Sequence, residues 1–250
     1  MKFLDQVVLV TGGGSGIGRA TARAFAREGA VVVVAGRGAE PLAETVKLIE
    51  ADGGVAAPVT ADVTDEGDAA RMVAEVVERY GRLDVAFNNA GMVSAGKVAD
   101  LDREIWDGVL AVNLTGVWLS MKYEIAQMRE QGGGVIINTS SNLGAHRRQP
   151  GLGAYVASKA AVSALTRTAA LEYIGEGIRI NAISPGPSDT PRSMRPGETE
   201  ADRTERLKTT NPSGRVGTLD EIAAAVLYLA SPEAGYAVGT DLVVDGGASA

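Results

Sequence analysis

Val7-Val8-Leu9-Val10-Thr11-Gly12-Gly13-Gly14-Ser15-Gly16-Ile17-Gly18 decides the architecture of this 250-residue chain. Four consecutive apolar residues, three of them β-branched, suit a strand buried on both faces. The glycines end that run, and an amphipathic stretch over residues 19–27 follows, closed by Glu28-Gly29. Strand, turn and helix start in this order put free N–H groups and a partial positive charge where the turn meets the helix, which attracts phosphate. Glycine lets the backbone approach an anion closely because no Cβ intervenes. The spacing is G-x-x-x-G-x-G, on Gly12, Gly16 and Gly18, rather than G-x-G-x-x-G. Many glycine-rich turns are only tight turns, but a position between strand and helix favours a dinucleotide site. Gly12, Ser15, Gly16, Ile17 and Gly18 are its expected contacts.

The same alternation continues outward. Residues 31–35 are a second apolar run, and Pro41 is expected to open a helix with Leu42, Val46 and Ile49 on one face. Residues 55–59 read as a third strand. After Asp62-Val63-Thr64-Asp65 comes a periodic helix carrying Ala69, Met72, Val73, Val76, Val77 and Tyr80. Residues 83–87 form a fourth strand running into Asn88-Asn89-Ala90-Gly91. One long helix over 103–129 is expected, then a strand at 135–138, a helix at 154–173 and a strand at 178–183. Thr218 to Glu221 is a capping box for the last helix, and residues 241–245 supply a seventh strand. Strict alternation predicts an α/β fold: a doubly wound, mainly parallel seven-stranded sheet of Rossmann type with helices on both faces. Residues 1–250 read as one domain. The exception to the rhythm is a segment rich in Pro, Gly, Ser and Thr after the sixth strand, with one short helix near 200–208. It leaves the ligand-binding edge of the sheet, so residues 187–215 are expected to form a substrate lid, the other reading being a mobile surface insertion.

Composition removes whole classes of function. A net charge of −7 with no basic stripe argues against nucleic acid. No apolar run reaches the ~18 residues of a membrane span. Asp5 and Gln6 interrupt the apolar start, so no signal peptide is expected. With 0 cysteines there are no disulfides, thiolate metal sites or cysteine nucleophiles, which suits a cytoplasmic protein. His146 is the only histidine, so a multi-histidine metal site is excluded and no metal is expected. Neither a G-x-S-x-G nor a G-x-x-x-x-G-K-[ST] pattern occurs.

Tyr155 and Lys159 stand at i and i+4, on one helix face. An ammonium one turn from a phenol favours the phenolate. Base activity near neutrality asks for a shift of roughly two to three units from about 10, or some 3–4 kcal/mol, which a low-dielectric cleft can supply and an exposed helix cannot. A surface Tyr/Lys pair is the commoner meaning of this spacing taken alone.

Thr11-Gly-x-x-x-Gly-Ile-Gly18, Asn88-Asn-Ala-Gly91, Asn113, Ser141, Tyr155-x-x-x-Lys159 and Pro185-Gly186, in this order and spacing, resemble the single-domain branch of the short-chain dehydrogenase/reductase family. The resemblance implies an NAD(P)-dependent oxidoreductase acting on a small carbonyl compound or secondary alcohol, and a homotetramer packed through the helices at 103–129 and 154–173. It implies that Tyr155 is the general acid in reduction and base in oxidation. Lys159 would support Tyr155 and hold the nicotinamide ribose, Ser141 would bond the substrate oxygen, and Asn113 would position a relay water. Asp62 and Val63 match the adenine-contacting pair; Asn88, Ala90 and Gly91 match the segment beside the adenosine ribose. Pro185, Gly186 and Thr190 would meet the nicotinamide side, while Asn89 matches a structural position. The commonest family spacing puts the serine thirteen residues before the tyrosine, which here is Asn142. Ser141 is assigned because Ser141-Asn-Leu-Gly144 matches the usual serine-to-glycine step, with Ser140 the alternative. His146-Arg147-Arg148 then lies in a loop that either meets an anionic substrate or is simply solvated.

Cofactor choice turns on the end of the second strand. NAD-selective folds place Asp or Glu there to bond the ribose 2′-hydroxyl. Here Gly36-Arg37 follow Ala35, and Glu40 lies beyond that position. Arg37 can pair with a 2′-phosphate and stack on adenine, so NADP(H) is expected, with NAD(H) the alternative. No basic residue stands inside the glycine turn, and Arg19 lies just past it. The rival class is a catalytically silent NAD(P)-binding regulatory protein of the same fold.

Overall fold

The computed structural model describes residues 1–190, 193–194 and 197–250; Pro191, Arg192, Arg195 and Pro196, within the expected lid, lie outside the described residues. Seven strands form one sheet: β1 (Val7–Thr11), β2 (Val31–Gly36), β3 (Val55–Thr60), β4 (Val85–Asn88), β5 (Gly134–Thr139), β6 (Ile178–Pro185) and β7 (Asp241–Val244). Their order is β3-β2-β1-β4-β5-β6-β7, and every neighbouring pair is parallel. The chain winds outward from β1 to β3, then returns to lay β4 against the other side of β1. That reversal opens a crevice at the carboxyl ends of β1 and β4, where doubly wound sheets bind ligands. The glycine turn and Asn88-Asn89-Ala90-Gly91 leave those two ends.

Strand pleating explains why the apolar runs are continuous. On one face Leu9, Val33, Ala86, Ile136 and Ile180 pack under α3 (Glu66–Tyr80), α5 (Gly116–Gln131) and α6 (Gly153–Tyr173). On the other, Val8, Val10, Val32, Val34, Phe87 and Ile137 pack under α1 (Gly16–Arg27), α2 (Ala39–Ala51) and α8 (Leu219–Ala230). Successive residues of one strand face opposite layers, so neither face tolerates polar alternation. The capping box of α8 is present as read, Thr218 accepting from the Glu221 N–H and Glu221 accepting from the Thr218 N–H. Among the described residues no helix is long and apolar enough to cross a membrane.

Strand ends shift by a few residues from the sequence reading, and two helices differ from it more instructively. The helix α2 begins at Ala39, with Gly38 as its N-cap, rather than at Pro41. Proline is tolerated at the third helical position because first-turn N–H groups need no intrahelical acceptor. The long helix at 103–129 is two helices, α4 (Arg103–Leu110) and α5, joined by a π-helical stretch at Ala111–Thr115. Apolar periodicity runs through that stretch unbroken, so it gives no warning; π turns gather at functional sites.

The sheet also buries polar groups between β4, β5, α5 and α6. Asn88 Nδ2 donates to Glu124 Oε2 (2.9 Å) and Asn138 Oδ1 (3.1 Å), and Asn138 Nδ2 donates to Thr166 Oγ1 (3.0 Å). Glu124 is 0% exposed. Burial pushes its carboxyl from 4.5 up to about 8, against a smaller lowering by the Asn88 bond. The folded protein therefore binds more protons than the unfolded chain between those values, and stability falls as pH rises through that window. Glu124→Gln keeps the shape and removes the titration. Its free energy of unfolding in urea is expected to gain on the wild type by up to a few kcal/mol between about pH 5 and 8. Parallel pH curves for the two proteins would contradict this.

Candidate active site

The glycine turn sits where β1 becomes α1. A Cβ on Gly18 would overlap the Gly12 carbonyl and come within 2.6 Å of Asn89 Nδ2, so the helix can start this close only on a glycine. Gly16 has φ +50°, and a Cβ there would lie 3.4 Å from Thr190 Cγ2. Thr190 thus stands over the turn. Ser15 is the N-cap of α1 but makes no side-chain cap bond, and the first turn holds no acidic residue. No acidic side chain competes for the donors of this helix start, whose first turn also holds Ile17. An uncapped, acid-free helix N-terminus behind a close-packed glycine turn fits a dinucleotide phosphate. Behind it, Thr11 Oγ1 accepts the N–H groups of Asn89 (3.0 Å) and Ala90 (3.1 Å), and Asn89 Nδ2 donates to Thr11 O (3.2 Å). Asn89 ties two loops together.

Arg19, just past the turn, is engaged by the turn and by α2. It donates to Gly14 O (2.6 Å), Glu44 Oε2 (2.7 Å) and Thr45 Oγ1 (3.0 Å), bracing the turn against α2. Arg37, just beyond β2, is 77% exposed, with Nη1 4.0 Å from Asp62 Oδ2. Asp62 Oδ1 accepts from the N–H (3.0 Å) and Oγ1 (2.8 Å) of Thr64, and Val63 packs its side chain over Gly116 of α5. The side chain of Asn88 turns into the buried Glu124 network.

Lys159, Asn113 and Gly91 meet at one point. A Cβ on Gly91 would lie 3.4 Å from Asn113 Oδ1 and 3.6 Å from Lys159 Nζ. Lys159 is 3% exposed, its Nζ donating to Thr139 O (2.7 Å) and standing 6.0 Å from the centre of the Tyr155 ring. Asn113 accepts the Met92 N–H (2.8 Å) and donates to Met92 O (2.9 Å) and Ser158 Oγ (3.1 Å). Ser158 Oγ in turn donates to Tyr155 O (2.7 Å). The sequence reading missed Ser158, whose only signal is its place directly before Lys159 on the helix of Tyr155.

At the end of β5 three adjacent polar residues divide. Ser140 Oγ faces α6, bonding Lys159 O (2.9 Å) and Ser163 Oγ (2.8 Å). Asn142 Nδ2 donates to Asp245 Oδ2 (3.2 Å). Ser141 Oγ accepts the Leu143 N–H (3.1 Å), a bond that does not use its own hydroxyl hydrogen. Pro185 O accepts the Asn142 N–H (3.1 Å), and the Gly186 N–H donates to Val244 O (2.9 Å), so both residues border this strand end.

A parallel doubly wound sheet, a glycine turn at its switch point and a lysine–tyrosine pair on α6 define a nicotinamide-dependent oxidoreductase. Residues 12–249 match the family model described as enoyl-(acyl carrier protein) reductase. The chain belongs to the short-chain dehydrogenase/reductase family and is an NAD(P)-dependent enzyme of it. Levodione reductase of Leifsonia aquatica is 42% identical, with 100% of this chain and 96% of that protein covered. Cyclohexanol dehydrogenase of Acinetobacter sp. (strain SE19) is 40% identical, with 98% and 95% covered. The crystal structure of a short-chain type dehydrogenase/reductase from Mycobacterium marinum matches with a TM-score of 0.93 at 35% identity, covering 99% of this chain and 97% of that one.

The division of the three polar residues is measurable. Ser140→Ala removes the buried hydrogen bonding of this side chain to Lys159 O and Ser163 Oγ and is expected to lower the unfolding free energy by ~1–2 kcal/mol. Ser141→Ala is expected to cost under about 1 kcal/mol. Urea unfolding of both variants checks this, and equal losses would contradict it.

Proposed function

We propose that this enzyme interconverts a cyclic secondary alcohol and its ketone with NADP(H), using Ser141, Tyr155, Lys159 and Asn113. The observation that carries the reading is the buried Lys159 ammonium, held by Thr139 O beside the Tyr155 ring and next to Asn113 and Gly91. The cyclic substrate class rests on the activity for which the cyclohexanol dehydrogenase relative is named.

The bound nicotinamide supplies the hydride acceptor in oxidation and the donor in reduction. Gly12, Ser15, Gly16, Ile17 and Gly18 would hold its pyrophosphate, and Asp62, Val63, Asn88, Ala90 and Gly91 its adenosine half. Lys159 would hold the nicotinamide ribose, with Tyr155, Pro185, Gly186 and Thr190 around the nicotinamide. In oxidation Tyr155 Oη takes the substrate hydroxyl proton as the carbinol C–H bond breaks; in reduction it returns a proton to the carbonyl oxygen. The nearby ammonium stabilises the phenolate left between those events. Ser141 Oγ, with its hydroxyl hydrogen unused by Leu143, donates to the substrate oxygen and orients it. Asn113, fixed by Met92 and Ser158, positions a water through which Lys159 passes protons to solvent.

The lid reading of 187–215 is supported by α7 (Glu200–Thr210) and by Arg203, which pairs with Asp189 (3.0 Å) close to Thr190. A homotetramer is supported by apolar side chains left exposed on α5 and α6, Trp118 at 47% and Leu171 at 78%. The proposed setting is the cytoplasm, which a cysteine-free sequence suits.

Two experiments test this reading. Tyr155→Phe keeps the ring and deletes the transferable proton, so turnover of cyclohexanol is expected to fall at least ~10²-fold while NADPH binding persists. Near-wild-type turnover would overturn the mechanism. For the cofactor, no acid follows β2 and the Arg37 guanidinium is exposed beside Asp62. Arg37→Ala is expected to lower kcat/KM for NADP(H) about tenfold and for NAD(H) under about twofold. An unchanged ratio, or a wild type that favours NAD(H), would show that Arg37 is no phosphate clamp.

A further inference from the structure

We propose that His146 and Asp241 form a clasp that holds the loop between Ser141 and Tyr155 in its substrate-binding shape, making His146 a positioning residue. This rests on the reading of Ser141 and Tyr155 as substrate-facing groups. Asp241 opens β7, and its side chain is 1% exposed. Three donors from three different elements converge on its carboxylate. Ser184 Oγ of β6 donates to Oδ1 (2.5 Å), Ser163 Oγ of α6 donates to Oδ2 (2.6 Å), and His146 Nε2 lies 2.9 Å from Oδ2. An ionised carboxylate only accepts, so His146 Nε2 carries the hydrogen in this bond. A carboxylate this buried is costly unless several donors satisfy it, and removing one donor is felt by the rest.

The neighbouring segments are held in other ways. The ladder between β5 and β6 extends past the strand end, Ser140 N–H donating to Ile183 O (2.8 Å) and Asn142 N–H to Pro185 O (3.1 Å). Ser141, between them, is therefore placed by the sheet. Lys159 is placed by Thr139 O. From Leu143 onward the chain leaves the ladder. Gly144 N–H donates to Arg147 O (2.9 Å) and Arg147 N–H to Asn142 O (2.7 Å), bonds that close the loop on itself. The His146 bond ties that closed loop to the body of the protein. Further on, Gly151 O accepts the Gly96 N–H (2.8 Å), joining the loop to the segment after Asn88-Asn89-Ala90-Gly91. Releasing His146 should thus free the wall between Ser141 and Tyr155 while leaving the reacting groups in position. Such a wall acts on substrate binding more than on the chemical step.

The test uses His146→Ala and His146→Gln, the latter restoring a neutral N–H donor at the Nε2 position. Asp241 variants are unsuitable because they also strand Ser163 and Ser184. With cyclohexanol as probe and saturating NADP⁺, His146→Ala is expected to raise KM about tenfold, with kcat within about twofold and NADPH affinity unchanged. His146→Gln is expected to recover KM to within about threefold of the wild type. In parallel, hydrogen exchange on the NADPH-bound proteins is expected to speed about tenfold at the Gly144 and Arg147 amides of His146→Ala. Unchanged exchange at those amides overturns the clasp. Faster exchange with an unmoved KM, or a loss confined to kcat, overturns its role in substrate binding. A wild type that does not turn over cyclohexanol counts against the proposed substrate class, while the exchange measurement still decides the clasp.

Discussion

The active edge of this enzyme depends on one hydrogen bond from a buried ammonium to a main-chain carbonyl, Lys159 Nζ to Thr139 O at 2.7 Å. An ammonium that is 3% exposed is sustainable only where polar partners replace its water. The last carbonyl of β5 does so, fixing the reach of Lys159 across the gap between sheet and α6. The bond also sets the distance of the charge from the Tyr155 ring and brings it beside Gly91 and Asn113. A side chain at Gly91 would crowd both. This meeting point is thus built from a strand end, a helix and a loop that sequence separates widely.

Around this point the protein invests in buried polar contacts rather than apolar packing. Asn88, Glu124, Asn138 and Thr166 link β4, α5, β5 and α6 on one side of the site. Asp241, Ser163, Ser184 and Ser140 link β7, α6, β6 and β5 on the other. Hydrophobic contacts are non-directional and tolerate small slides between layers, whereas hydrogen bonds between fully buried groups fix a register. The elements joined by these two networks are those that carry Ser141, Tyr155 and Lys159. Rigid placement of those residues relative to one another follows from that arrangement.

The cofactor side is organised differently. The glycine turn is backed by Asn89 and Thr11 and braced by Arg19, so the charge nearest the turn is used in holding it rather than in binding. Arg37, by contrast, is solvated and only loosely near Asp62. An exposed ion pair at 4.0 Å contributes little to stability, which leaves the guanidinium available to another anion at small cost.

Much of this was legible in the chain itself. Unbroken apolar runs such as residues 7–10 and 31–35 suit strands covered on both faces, and seven strand segments alternating with helices leave few topologies other than a doubly wound sheet. The class of chemistry came from the resemblance of the whole ordered motif set to a family, since the glycine turn and the Tyr155–Lys159 interval are each weak signals when taken alone. What tertiary structure decided was everything that depends on which side of a strand end or helix a polar residue faces. Linear spacing gave conflicting signals for Ser140, Ser141 and Asn142, whereas in the structure Ser140 is bound to α6 and Asn142 to Asp245. The π turn at Asn113 was invisible because its extra residue does not disturb the apolar periodicity. Glu124 carried no signal in the linear pattern, and His146 stood in a loop that read as either substrate-facing or solvated. Their burial and pairing come from elements 36 and 95 residues away in sequence, a distance across which no local pattern carries information.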